Sequence, residues 1–283
     1  MRVGIVCDST CDLGPEWLES QQVAMVPLKV LFGDDTLLDW VDIRPGDFFE
    51  KLVAASSLPK TSQPSPADFS AVYERLADEG AEEIVSIHLT AALSGTFESA
   101  TMAAATSPVP VHVVDTKLVT QATGLVIKAA IAARDGGADA AEVARVANET
   151  AAKTRLFFVL DTLDYLVKGG RAGKASGLAA SVLNIKPILT FNAEGIIEPF
   201  KKVKGTRKAL AELAAQVAAD AEEHGRLKLS FLHAVSPALA DDLKQAIVAS
   251  GADVEFDSTG LVGSVIGTYS GPNAVGCAYY PIG

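Results

Sequence analysis

Three short polar turns and one glycine-flanked arginine hold the residues of this chain that could do chemistry. Asp8-Ser9-Thr10-Cys11-Asp12 follows the apolar run Val3–Cys7. Asp8 has the type of a nucleophile or metal ligand, but a phosphatase-like pair needs a second aspartate two positions on, where Thr10 stands. The turn therefore reads as a helix cap. Thr61-Ser62-Gln63-Pro64-Ser65-Pro66 places Ser65 as an N-cap with proline at the first helical position. That leaves Thr61, Ser62 and Gln63 to meet the oxygens of a small anion, or water. Leu93-Ser94-Gly95-Thr96-Phe97 reads as a helix start capped by Ser94, and Phe97 in the third position excludes a capping box. Free N–H groups on Gly95, Thr96 and Phe97 beside a hydroxyl form an anion site or an ordinary helix start. In Asp161-Thr162-Leu163-Asp164-Tyr165-Leu166-Val167-Lys168-Gly169-Gly170-Arg171 the two glycines stop a short helix and leave Arg171 on the turn. Its planar fork suits a carboxylate or phosphate, or it is a solvated charge at a helix C-terminus.

The elements that must position these turns alternate in the first half. Strands are expected at Val3–Cys7, Met25–Leu31, Ile84–Leu89 and Val111–Val114, with helices at 15–21, 45–54, 66–79, 94–105 and 120–134. Such alternation implies a mostly parallel sheet with helices on both faces and ligands beyond the carboxyl ends of its strands. The second half offers strands at Leu156–Leu160, Ile185–Phe191, Lys228–His233, Val254–Phe256 and Cys277–Pro281, with helices at 206–223 and 237–250. No Pro/Ser-rich tether separates the halves. The expected organisation is α/β in two domains in close contact, 1–155 and 156–283, with the site between them.

Composition narrows the function classes. The chain has 283 residues, 49% hydrophobic and 21% charged, ample for a sizeable core. Its net charge of −11 argues against nucleic acid as a partner. The first apolar run is too short for a signal peptide, and Gln121 and Lys128 interrupt the longest candidate for a membrane span. Cys7, Cys11 and Cys277 make neither a disulfide framework nor a zinc pattern, which suits the cytoplasm. His88, His112, His224 and His233 stand far apart, so no metal site is expected. There is no G-x-x-x-x-G-K-[ST] and no G-x-G-x-x-G after a strand, so no nucleotide motif is present. A hydrolase using Ser94 or Asp8 is the alternative, although Ser94 lacks the G-x-S-x-G elbow. Lys201, Lys202, Lys204 and Arg207 form a basic run in an acidic chain: a solvated face or, with Arg171 and Lys186, a docking patch.

Taken in order, these blocks resemble the DegV family of bacterial fatty-acid-binding proteins. The resemblance runs through Asp8-Ser9-Thr10, Thr61–Ser65, Leu93–Thr96, Asp161–Arg171, Leu183-Asn184-Ile185-Lys186-Pro187-Ile188-Leu189, Lys201–Arg207 and Gly267–Gly276. It implies a two-domain DegV-like α/β carrier with no catalytic residues and no cofactor, holding a long-chain fatty acid as ligand. The carrier would serve a separate ATP-dependent fatty acid kinase subunit, without a transmembrane segment and with room for transient membrane contact. By the same resemblance Thr61, Ser62, Ser94, Gly95, Thr96 and Tyr269 bind the head group. Arg171, Lys201, Lys202, Lys204 and Arg207 dock the partner. The length and kink of such a tunnel depend on the packing of residues such as Phe157, Leu183 and Ile266. One departure stands out. The family's final motif carries a histidine where this chain reads Gly267-Thr268-Tyr269-Ser270-Gly271-Pro272-Asn273. A phenol donates a hydrogen bond but brings no positive charge.

Overall fold

The computed structural model describes residues 2–178 and 185–283. Four short strands, β1 (Val3–Asp8), β2 (Val23–Val26), β6 (Glu83–His88) and β7 (Val111–Asp115), form a parallel sheet in the order β2-β1-β6-β7. Their apolar residues alternate between faces as the pleat requires. Val6 and Ile84 pack with Phe69 and Tyr73 under α3 (Pro66–Asp78) and α4 (Thr96–Ala104). Ile5, Cys7, Val85 and Ile87 face the other way, toward α5 (Thr120–Asp135) and α6 (Ala140–Lys153).

The same two helices cover a second sheet. Its strands run β10 (Ile197–Lys204), β9 (Ile185–Phe191), β8 (Arg155–Val159), β13 (Val275–Pro281), β11 (Leu227–His233), β12 (Val254–Leu261), all antiparallel neighbours except the last pair. Its far face packs on α8 (Thr206–His224) and α9 (Pro237–Ala249) through Phe157, Phe231 and Leu213. The molecule is thus layered helix, sheet, helix, sheet, helix. Because α5 serves two sheets, it is buried almost all round, from Thr120 through Ile127.

A small antiparallel sheet, β4 (Asp35–Leu38), β3 (Lys29–Phe32) and β5 (Lys60–Ser62), closes one side with α2 (Pro45–Ala54) and the short α10 (Ser264–Ser270). The remaining helices are α1 (Pro15–Ser20) and α7 (Asp164–Lys168), with 3-10 turns at Ser9–Cys11 and Gly173–Leu178. No described helix is long and apolar enough to cross a membrane.

Several expectations change here. The run Met25–Leu31 is two strands in two sheets, because Pro27 has no N–H for a continuing ladder. Helix α4 begins at Thr96 with Gly95 at its N-cap and no side-chain cap, so Ser94 does not cap it. Phe157 points to the α8 face and Phe158 to the opposite one, so Phe157 cannot shape an interior tunnel. The turn chemistry held elsewhere. Asp8 caps the first 3-10 turn through the Thr10 N–H at 3.0 Å, and Ser65 and Asp68 form a capping box at α3.

Candidate functional site

Between the carboxyl ends of the parallel strands and the inner face of the six-stranded sheet lies a narrow cavity whose envelope, open solvent at its mouth included, is about 880 Å³. Alternation along one strand supplies a wall, with Leu156 and Phe158 of β8 and Leu160 just beyond it all facing inward. Phe191, Leu232, Val262, Val265 and Ile266 continue the apolar lining, and the 88–94 and 118–120 loops close it.

Polar groups gather at one end. Thr61 projects from β5, held in register by pairing with Val30. Its hydroxyl meets the Tyr269 hydroxyl at 2.5 Å. The Arg171 guanidinium lies 5.2 Å from the centre of the Tyr269 ring, within cation–π reach. Arg171 also donates to Leu93 O at 3.3 Å and to Gly169 O at 3.1 Å, fixing its charge where the two turns meet. Ser94 completes the group, its hydroxyl 2.9 Å from that of Thr96. Gly169 is glycine because a Cβ there would stand 2.7 Å from Tyr269 Cε1. Arg171 is the one charged side chain among the described residues that line the cavity. Thr61, Ser94, Arg171 and Tyr269 are all part-exposed, which marks this end as the mouth.

Other residues singled out in the sequence sit elsewhere. Ser62 is exposed and donates to Gln63 O at 3.2 Å, whereas Gln63 itself lines the mouth. Gly95 packs on the Gln63 amide, and Thr96 is buried behind Ser94. Lys201, Lys202 and Lys204 lie on β10, an edge strand, with Lys201 paired to Glu212 at 2.6 Å. Arg207 is in the first turn of α8, and Lys186 pairs with Asp161 at 2.7 Å. Ile266 lines the cavity, while Leu183 and Asn184 fall outside the described residues. The left-handed conformation that Asn273 must take, φ 62°, is adopted.

Sequence reading missed a buried carboxyl pair behind α10. Asp12 accepts from Gly263 N at 3.0 Å and Trp40 Nε1 at 3.4 Å. Asp39 accepts from Ser264 N at 2.9 Å and from the Ser9 hydroxyl at 2.8 Å. Burial pushes the Asp39 carboxyl up to about 6. Burial, then the neighbouring Asp39, raises Asp12 well above the usual range. Neither residue carries a sequence signal, since acids 27 positions apart meet only after folding.

The hydrolase alternative finds no support in these contacts. Ser94 contacts Thr96 rather than a base. A Ser-His-Asp chain does exist, with Ser86 Oγ 2.7 Å from His88 Nε2 and His88 Nδ1 3.0 Å from Asp8 Oδ2. All three residues are fully buried on the α3 side, and the Ser86 hydroxyl also takes the Tyr73 hydroxyl at 2.9 Å. No group of three or more His, Cys, Asp or Glu suited to a metal occurs among the described residues.

These features define an α/β protein with an internal apolar cavity and a single polar mouth. The chain belongs to the DegV family: the profile described as "Uncharacterised protein, DegV family" matches residues 2–282. It is 38% identical over 279 residues to a DegV domain-containing protein of Streptomyces coelicolor, covering 97% of each chain. A fatty-acid-binding DegV family protein from Thermus thermophilus superposes with a TM-score of 0.93 at 34% identity, covering 100% of both chains. DegV of Bacillus subtilis, a fatty acid binding protein, superposes at 0.89 with 29% identity and 99% coverage of each.

Proposed function

We propose that this chain binds a long-chain fatty acid, with the carboxylate at the mouth and the chain along the apolar walls. The observation that carries the reading is the segregation of the lining, with Thr61, Ser94, Tyr269 and Arg171 at one end and mostly apolar side chains elsewhere. Hydroxyl groups can satisfy a carboxylate's lone pairs without a full counter-charge. Burial then stabilises the complex by about 0.8 kcal/mol per CH₂. Ser62, Gly95 and Thr96 belong to the same site as supports of its loops. Residues 1–155 supply the head-group loops and residues 156–283 complete the pocket.

In this reading the protein is a cytoplasmic carrier without catalysis of its own, and its partner is a separate ATP-dependent fatty acid kinase subunit. That subunit moves the γ-phosphoryl group of ATP to a carboxylate oxygen, yielding an acyl phosphate and ADP. Arg171, rigid at the mouth, and Lys201, Lys202, Lys204 and Arg207 form the docking surface. Transient contact with a membrane during exchange of the acid needs no spanning segment.

Mass spectrometry of lipid extracted from the purified protein tests the first claim. The expected result is one equivalent of a fatty acid of about C14–C18 length. A protein that is empty and takes up no added fatty acid overturns it. Arg171→Ala tests the docking claim: fatty acid stays bound while phosphorylation falls at least about tenfold, the loss expected for one charge-assisted contact. Unchanged phosphorylation removes Arg171 from that role.

A further inference from the structure

Two short helices meet at the mouth. Helix α7 ends at Gly169 and α10 ends at Gly271. With five and seven residues they are too short to hold without packing, so their placement comes from what they touch. They touch each other, and the contact is reciprocal. Tyr269 of α10 lies over Gly169, and Tyr165 of α7 lies over Gly271, where a Cβ would stand 2.5 Å from Tyr165 Cε2. Each ring thus covers the glycine that ends the other helix, and neither glycine could carry a side chain without moving a ring. Within α7 the Gly169 N–H donates to Tyr165 O at 2.9 Å, so the residue that covers one helix end and the glycine that receives the other ring are tied together.

The two rings differ in what else they reach. Tyr269 lines the cavity and meets Thr61 and Arg171. Tyr165 does not line it and is half-buried against the core that both sheets share. Its seat on Gly271 lies two residues beyond Tyr269, at the end of α10 opposite the one that Asp12 and Asp39 hold. Without that ring the carboxyl end of α10 loses its stop. A shift of about 1 Å there carries the contact between the Tyr269 and Thr61 hydroxyls from 2.5 Å to beyond hydrogen-bond range.

We propose that Tyr165 is a positioning residue of the mouth: seated on Gly271, it fixes the end of α10 and so the place of the Tyr269 hydroxyl, and it governs recognition of the carboxylate without touching the ligand. This rests on the fatty-acid reading above and adds a residue to it. A head-group effect separates this role from plain packing, because a packing loss weakens every ligand with the same chain alike.

The test compares hexadecanoic acid with its methyl ester, which share a chain and differ in the charged head group, by displacement of a fluorescent fatty acid from the delipidated protein. Tyr165→Leu should weaken the acid about three- to tenfold, the worth of one hydrogen bond, and leave the ester within about twofold. Tyr165→Phe keeps the ring on Gly271 and should bind the acid as the unaltered protein does. In the Tyr165→Leu background Tyr269→Phe should cost little more, since the hydrogen bond that it removes is already lost. Should the leucine variant fail to melt cooperatively, Tyr165→Met, whose flexible side chain repacks more readily, carries the same expectations. Equal weakening of acid and ester overturns this inference while leaving the carrier reading intact. So does an unchanged affinity for the acid in Tyr165→Leu, or additivity of Tyr165→Leu with Tyr269→Phe. An unaltered protein that binds no fatty acid overturns both.

Discussion

Tyr269 organises the mouth through two contacts of different kinds. Its hydroxyl meets Thr61, and its ring lies against Arg171. Tyr269→Phe separates them, because the ring and its cation contact stay and the hydrogen bond goes. Fatty-acid affinity should fall about three- to tenfold, the worth of one neutral hydrogen bond, measured by titration calorimetry. Replacing both hydroxyls, Thr61→Val with Ser94→Ala, should abolish co-purification of lipid while the melting curve stays cooperative; undiminished lipid would remove both residues from the head-group role. These residues were legible in the sequence because polar turns and a departure from a family motif are local signals. The Asp12–Asp39 pair was not, because it is a meeting across the fold and leaves no trace in spacing.

Helix α10 shows what positions the site. Residues Val265, Ile266, Tyr269 and Ser270 present one helical face to the cavity, while its first N–H groups rest on buried carboxyls. Asp39 ionises near pH 6 when folded, against about 3.9 when unfolded. Between those values the unfolded chain has lost the proton that the folded chain keeps. Stability therefore falls as pH rises through that window, by roughly 3 kcal/mol at most, and the loss is complete above it. Asp12 shifts in the same direction. The melting temperature should accordingly rise as the pH is lowered through about 6 toward 4, and Asp39→Asn should flatten that rise. Further acidification works the other way through carboxylates such as Asp68, which Ser65 N–H holds low. Gly169→Ala attacks the same helix from the opposite end by pushing on the Tyr269 ring, and loss of bound lipid without a change in secondary structure by circular dichroism would show it. Most long elements were legible from periodicity. Strand β10 and helix α10 were not, the first because its run Phe200-Lys201-Lys202-Val203-Lys204 reads as charge and the second because seven residues, two turns, are too few to show a helical period.

At the scale of the molecule, both sheets close on α5 and α6, and one core cluster runs from Val3 to Ala278. Such a shared helix layer explains why no linker was visible in the sequence. The basic run on β10 has a structural use as well, since lysines on an edge strand discourage pairing with another sheet. The cavity sits inside this common core, where packing elsewhere approaches that of a crystal. Hydrostatic pressure favours whichever state eliminates internal voids, and an unfilled space with apolar walls is such a void. The delipidated protein should therefore unfold at distinctly lower pressure than the lipid-loaded form, with a larger volume decrease, as followed by tryptophan fluorescence in a pressure cell. The bound molecule would then count as a piece of the protein's interior, one that is handed over each time it is delivered.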